Sequence, residues 1–342
     1  MSSFNETRGI SFDNSGVINP WVSEFFSTFN LIIIAELIGC FGIVGNVINI
    51  WNFAKQGLKD SVNVTLAALA LSDIGALVTQ MFTNVLFSPF WKRVDLPFAS
   101  SSTLAMIFYY PHCYFIRVSG LITVFASFER CLCVVLPLRV KRIITRNVAL
   151  VTSFALFVIL QSYFFPIYCV SYLALTFVPQ KNRTMIYLFY KNNADYVLKV
   201  SYFVADMATP YITFTLLTVF TSVIIIKLKT NSHWRRTATG KTLNIIQKKN
   251  FISKKERKLV VMLTTVSVIF IICLMPNCAL MTAIGVVREL KVDGPYYDLT
   301  MLIYDFTSIL ETINCSFTII IYYTMSTKYR EIIHAHFRYP SV

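Results

Sequence analysis

Charged residues are scarce. Asp, Glu, Lys and Arg make up 14% of the 342 residues, against 56% hydrophobic residues and a mean hydropathy of +0.61. A chain of this kind does not stay in water, which argues against a soluble one- or two-domain enzyme. Cys-x-x-Cys pairs are missing, and none of the eight cysteines has a histidine at metal-ligand spacing. The pattern supports neither a zinc site nor a disulfide framework. The first 26 residues are polar and lack a basic start followed by an apolar core, so no cleaved signal peptide is expected.

What is present is seven apolar runs, at about 28–54, 62–88, 103–136, 147–174, 196–227, 258–287 and 298–325. Each is long enough to cross a bilayer of roughly 30 Å as a tilted helix. Barrel strands would be roughly 10 residues long with polar alternation, so the expected class is all-α. Seven spans consume most of the length and leave no room for a separate folded domain. Residues 1–27 are then an outer segment, 28–325 the seven-transmembrane helix bundle, and 326–342 a short helix and tail.

Basic residues set the orientation. Twenty Lys and Arg flank the first, third and fifth loops and the C-terminal tail on one side, eleven of them between Lys227 and Lys258. Nine lie on the other side, mixed with acidic residues. This places the N-terminus outside and the C-terminus inside. The net charge of +14 lies between hydrophobic runs rather than on a polar domain face, which points to membrane lipid and away from nucleic acid. Two sequons, at Asn5 and Asn182, fall on the outer side and are expected to carry glycans. After span seven, Tyr329, Ile332, Ile333 and Phe337 recur at helical spacing, which predicts an amphipathic helix on the inner leaflet.

Ionisable side chains are costly in a bilayer and usually face the bundle interior for a reason. Here they sort into three depths. The middle layer is Asp73 with Ser119, Asn314 and Thr318, joined by Asn46: either a small hard-cation site or a polar plug joining helices. The inner layer is Glu129 and Arg130, with Glu256 entering span six. Arg130 can pair with Glu129 beside it, reach Glu256 on another helix, or snorkel to phosphate. The outer layer is His112, Arg117, Asp206, Asp305 and Glu311, with Tyr304. Glu311, Asn314 and Thr318 form an i, i+3, i+7 stripe on span seven. The outer set suits a cavity for a polar or zwitterionic ligand, or, for Arg117 and Asp206, a purely structural pair.

Taken together, these residues resemble a rhodopsin-like (class A) G-protein-coupled receptor. The resemblance rests on Gly45-Asn46 in span one, Leu69-Ala70-Leu71-Ser72-Asp73 in span two and Glu129-Arg130-Cys131 in span three. It continues with Pro210 in span five, Phe270 and Pro276 in span six, and Tyr322 in span seven. It implies a sodium site at Asp73, Ser119 and Asn314, a resting Arg130–Glu256 pair, a role for Tyr322 in the active state, and hinges at Pro210, Phe270 and Pro276. No enzyme activity or cofactor is implied beyond an allosteric sodium ion. Four departures stand out. Ala105 and the cysteine-free segment 175–195 lack the family's disulfide, Leu274 replaces a tryptophan, Thr318-Ile319 replace Asn-Pro, and the span-four tryptophan is missing. Span seven has no lysine for a retinal Schiff base, and His112 stands where amine receptors carry an aspartate. The segments 55–63 and 129–138 resemble molluscan chemosensory receptors and, more loosely, FMRFamide-type peptide receptors. The expected function is a plasma-membrane receptor, chemosensory or peptide-binding, that activates a heterotrimeric G protein. A secondary transporter is the rival, though no inverted repeat relates the halves of the chain.

Overall fold

The computed structural model describes residues 20–88, 101–136, 139–179, 182–237, 254–291 and 294–337. Six helices within it are long and apolar enough to cross a membrane: Trp21–Gln56, Ser61–Leu86, Ile107–Val135, Arg146–Val170, Ala194–Thr230 and Arg257–Val286. A seventh, more polar helix comes in two pieces, Tyr297–Ser316 and Thr318–Met325. These are spans one to seven, and the helical bundle expected from the apolar runs is what they form.

The bundle is inside-out relative to a soluble core. Leu37, Leu71, Val151, Phe154 and Ile272 are exposed on its flanks, whereas Asn46, Asp73, His112 and Glu311 are buried within it. A lipid solvent favours that arrangement, because apolar side chains gain nothing by hiding from hydrocarbon while polar ones must find partners inside. The inner half is nonetheless packed by apolar groups, with Phe53, Leu66, Val118, Ile122, Met262 and Tyr322 in one cluster.

Local chemistry sets the helix ends. Gly57, with a φ of +99°, terminates span one, and the Asp60 carboxylate accepts the Val62 N–H at 3.3 Å to start span two. In span five, Pro210 has no N–H and its ring crowds the carbonyl four residues back. The preceding turn relaxes to a wider π-helical one over Phe203–Ala208, and the Thr209 hydroxyl donates to the Val204 carbonyl at 2.7 Å. That wide turn carries Asp206.

Span seven breaks at Phe317 although the sequence offers no proline there. The Asn46 side chain on span one donates to the Cys315 carbonyl at 2.8 Å. It thereby takes the acceptor that a continuous helix would give to the Ile319 N–H. The close approach this needs is possible because residue 42 is glycine: a Cβ there would stand 2.1 Å from the Ser316 hydroxyl oxygen.

Two features differ from the sequence-based expectation. Span four ends at Val170 rather than near 174, and the following segment is an antiparallel hairpin, Ser171–Val178 paired with Arg183–Tyr190. Its strands are rich in Tyr, Phe, Leu, Ile and Thr, which suit a pleated surface, and Tyr172 stacks on Phe189 at 5.7 Å. None of the eight cysteines forms a disulfide. The hairpin base is closed instead by Lys191, whose backbone N–H donates to Val170 and whose ammonium donates to the Cys169 carbonyl. Asn182 stands exposed at the turn with a φ of 47°; Asn5 lies outside the described residues.

The C-terminal helix Thr327–Phe337 forms as expected. It docks through Tyr329, which is fully buried and donates its hydroxyl to Asn49 at 2.6 Å. Asn52 in turn donates to the Tyr329 carbonyl at 3.1 Å, and Ile333 packs against the inner apolar cluster. The Phe337 side chain lies outside the described residues.

Candidate functional site

Spans two, three, six and seven meet at one buried polar junction. His112 Nδ1 lies 3.0 Å from the Ala76 carbonyl and Nε2 lies 3.2 Å from Glu311 Oε2. A carbonyl only accepts, so Nδ1 carries a hydrogen. Nε2 then meets the carboxyl oxygen through one further proton, on either the imidazole or the carboxyl. The other Glu311 oxygen accepts from Asn277 at 2.7 Å, and Thr307 donates to the Asn277 side-chain oxygen at 3.3 Å. His112 and Glu311 are each 3% exposed, so the junction is closed as it stands. Pro111, inside the span-three helix, directly precedes His112.

A second pair sits beside it. Arg117 donates from Nη2 to Asp206 at 3.0 Å and from Nε to the Ala205 carbonyl at 2.8 Å, tying span three to the wide turn of span five. Glu311 and Arg117 are within electrostatic reach of each other. With one proton shared by His112 and Glu311, and Arg117 set against Asp206, the four groups are neutral together. Tyr304, half-buried, lies near Glu311 and Cys113. Asp305 does not join this set, because its carboxylate accepts from Ser27 on span one. Six helical residues separate Asp305 from Glu311, about 240° around the axis, and that rotation turns it away.

The middle layer divides. Asp73 accepts from Ser119 at 2.7 Å, and the Cys315 thiol also reaches its carboxylate. Asn314 contacts Cys315. Thr318 belongs elsewhere: its hydroxyl donates to Asn46 at 3.3 Å and accepts from Asn49 at 3.2 Å. The stripe from Glu311 to Thr318 assumed an unbroken helix, and the turn at Phe317 swings Thr318 toward span one. A hard cation seeks converging oxygens. Asp73 and Ser119 supply them, the third neighbour is a thiol, and the four-residue oxygen set does not assemble. Thr318 thus stands apart from the other three, while Asp73 and Ser119 stay in contact with the Cys315 thiol beside them.

Between the outer junction and the inner end lies the packing that can couple them. Phe270 is buried against Gly120, where a Cβ would stand 2.8 Å from the ring, and it faces Phe214 at 6.3 Å. Leu274, smaller than the tryptophan it replaces, borders a void of about 10 Å³ with Pro210, Phe270 and Arg117, room for a single water. Pro276 lies two residues beyond Leu274 in the same helix.

At the inner end Arg130 pairs with its neighbour Glu129, Nη2 to Oε1 at 2.9 Å, and Ser61 of span two donates to the same oxygen at 2.6 Å. The Glu256 side chain lies outside the described residues. A direct link between spans three and six comes from Ser127 and Ser267, whose hydroxyl oxygens are 2.6 Å apart and buried. Cys131, Val134, Ile224 and Val260 close the inner face around them. Tyr322 is buried, edge-on to Phe53 at 5.3 Å and beside Tyr329 at 6.0 Å. Sequence reading missed Asn277, Ser127 and Ser267. A polar residue directly after Pro276 was the available signal for Asn277, whereas isolated serines in helices gave none.

Seven helices, four of them joined by a buried ionisable junction, make a bundle of membrane-spanning length. Residues 45–322 match the family model for the 7 transmembrane receptor (rhodopsin family), and the chain belongs to that family, a receptor family rather than an enzyme family. A stretch of 64 residues, 18% of the chain, is 38% identical to the probable G-protein coupled receptor frpr-1 of Caenorhabditis elegans. The match covers 17% of that receptor's length.

Proposed function

We propose that this chain is a plasma-membrane receptor that binds an extracellular ligand near His112, Arg117, Asp206, Tyr304 and Glu311 and activates a heterotrimeric G protein. The observation that carries the proposal is the junction of His112, Asn277 and Glu311. It joins spans three, six and seven through charged hydrogen bonds that a polar ligand would have to exchange for its own. Such an exchange frees span six, and Phe270 on Gly120 passes the displacement to the inner half, where the Ser127–Ser267 contact must part. The closed inner face corresponds to the resting state. The N-terminus and the hairpin face outward, and the basic fifth loop faces the cytoplasm.

The compact junction suits a small polar ligand, and a chemosensory role is the first reading. A peptide ligand is the second, supported by the hairpin: a two-stranded sheet has free edges to which an extended chain can add, and Tyr172, Leu173, Leu175 and Phe177 are exposed on it. The test is nucleotide exchange across a panel of G-protein subtypes in cells expressing the intact chain, with Arg130→Ala as the uncoupled reference at matched surface expression. Exchange above that reference in one subtype is expected. Equal signals in every subtype, for wild type and for the opened variant Ser267→Ala alike, together with solute uptake, would overturn the reading in favour of a transporter.

A further inference from the structure

The outer junction leaves Glu36 of span one unused. A wide π-helical turn, Phe29–Ala35, runs directly into it. Ile43 lies seven residues on, so on the same face of the helix, and packs against the cluster that holds Ala76 and Leu77, which turns that face toward span two. There the Glu36 carboxylate meets two amides, Gln80 and Asn84, each 2% exposed. Gln80 donates to the Asn84 side-chain oxygen at 2.8 Å, and Asn84 stands beside the carboxylate. Both amides follow Ala76, whose carbonyl lies against His112, by one and two helical turns outward on the same face of span two.

The hydrogen bonds of this group do not close. Glu36 Oε1 and Gln80 Oε1 are buried and accept from nothing, and Asn84 Nδ2 has no aligned acceptor. Among the described residues no lysine, arginine or histidine pairs with Glu36. The group therefore holds two unmet acceptors against one unmet donor, around a carboxylate in a membrane span. Unmet acceptors and uncompensated charge are both costly there. Glu36 as a whole is only half-buried, so the group keeps an edge open on the flank between spans one and two.

Its complement is a group that donates, does not accept and carries positive charge. We infer that Glu36, Gln80 and Asn84 form a binding site for a primary ammonium, with the Glu36 and Gln80 oxygens accepting two of its N–H groups. An ammonium is compact and has three donors and no acceptor, which fits both the charge and the unmet oxygens. Water would supply the hydrogen bonds but leave the charge standing, and a quaternary ammonium has no N–H for Gln80. The occupant ties span one to span two. It sits outside the junction of His112 and Glu311, and its binding does not depend on the G protein that the receptor engages.

The experiment uses the full chain in phosphatidylcholine nanodiscs at neutral pH and reads covalent labelling, so it does not depend on G-protein coupling. Three photoreactive probes carry the same diazirine-bearing benzyl group: the primary amine, the trimethylammonium and the alcohol. The amine should label peptides containing Gly39 or Met81, which meet where the two spans pack, the Met81 side chain lying 3.2 Å from the place a Cβ on residue 39 would take. The trimethylammonium and the alcohol should label them much less. Glu36→Gln and Gln80→Met, which nearly preserve side-chain size, should each lower labelling by the amine about tenfold or more, because a charge-assisted hydrogen bond is lost in both. Equal labelling by the alcohol, equal labelling by the trimethylammonium, or no labelling of these peptides by the amine overturns the inference, and these comparisons need only the wild-type chain. So does labelling indifferent to both substitutions in variants of unchanged melting temperature. Labelling kept in Glu36→Gln but lost in Glu311→Gln would place the amine at the outer junction instead and overturn it as well.

Discussion

Ser267→Ala tests the coupling between spans three and six most directly. The Ser267 hydroxyl lies 3.1 Å from the Leu263 carbonyl, to which it donates, so Ser127 is the donor in the 2.6 Å contact between the two serines. Both side chains are buried and the bond joins two different helices, so it exists only while their inner halves are together. Hydrogen bonds between membrane helices average about 0.6 kcal/mol, with a maximum near 1.7 kcal/mol. Alanine is a good helix former, and Ser127 can turn back to a carbonyl of its own helix, so little else is lost. Taking about 1 kcal/mol as the cost, the closed-to-open ratio falls about fivefold, and ligand-independent exchange rises by the same factor while the open form is rare. The assay is basal nucleotide exchange at matched surface expression. Ser127→Ala removes the same bond and should give the same rise, and the double variant should exceed neither single. An unchanged or lowered basal rate, or a double variant near the product of the two singles, about 25-fold, would refute the reasoning.

The remaining predictions concern the outer half. Glu311→Gln can still accept from Asn277 and donate to His112, so it should reach the cell surface at near wild-type levels. Glu311→Leu strands both partners and should lose about 3 kcal/mol or more, seen as failed surface expression. Arg117→Leu or Asp206→Leu alone leaves one charge uncompensated and should cost about 3–5 kcal/mol, whereas the double substitution should restore surface expression. A restored double variant that still responds fully to ligand would reduce the pair to scaffold. Asn182→Gln should remove one glycosidase-sensitive step from the electrophoretic mobility, and no change would argue against an outward hairpin turn.

Much of this architecture was legible because a bilayer makes two demands that sequence displays openly: long apolar runs and hidden charge. His112, Arg117, Asp206 and Glu311 were conspicuous as ionisable groups in lipid-length segments, and the structure pairs all four. Which would touch was not legible, since contact depends on the rotation and tilt of separate helices. Thr318 shows the same limit within one helix: its place in a stripe presumed regular geometry, and Asn46, 272 residues away, interrupts it. Asp305 was drawn in by its charge although helical phase alone turns it toward Ser27. Neutral polar partners such as Asn277 carry no comparable signal. The hairpin was hidden because Ser171–Ala174 continue an apolar run that a helix and a strand share.

The break in span seven has a different character from one made by proline. Proline deletes a donor permanently, so a helix it interrupts stays interrupted. At Phe317 every backbone donor is present, and the interruption depends on one side chain of another helix holding the Cys315 carbonyl. If span one slides or Asn46 turns away, that carbonyl can return to Ile319 and the two pieces can fuse into a single rod. The fusion would swing the following turn, with Tyr322 and the docked Tyr329, about the bundle axis. A break of this kind leaves the helix able to re-form, where one made by proline does not.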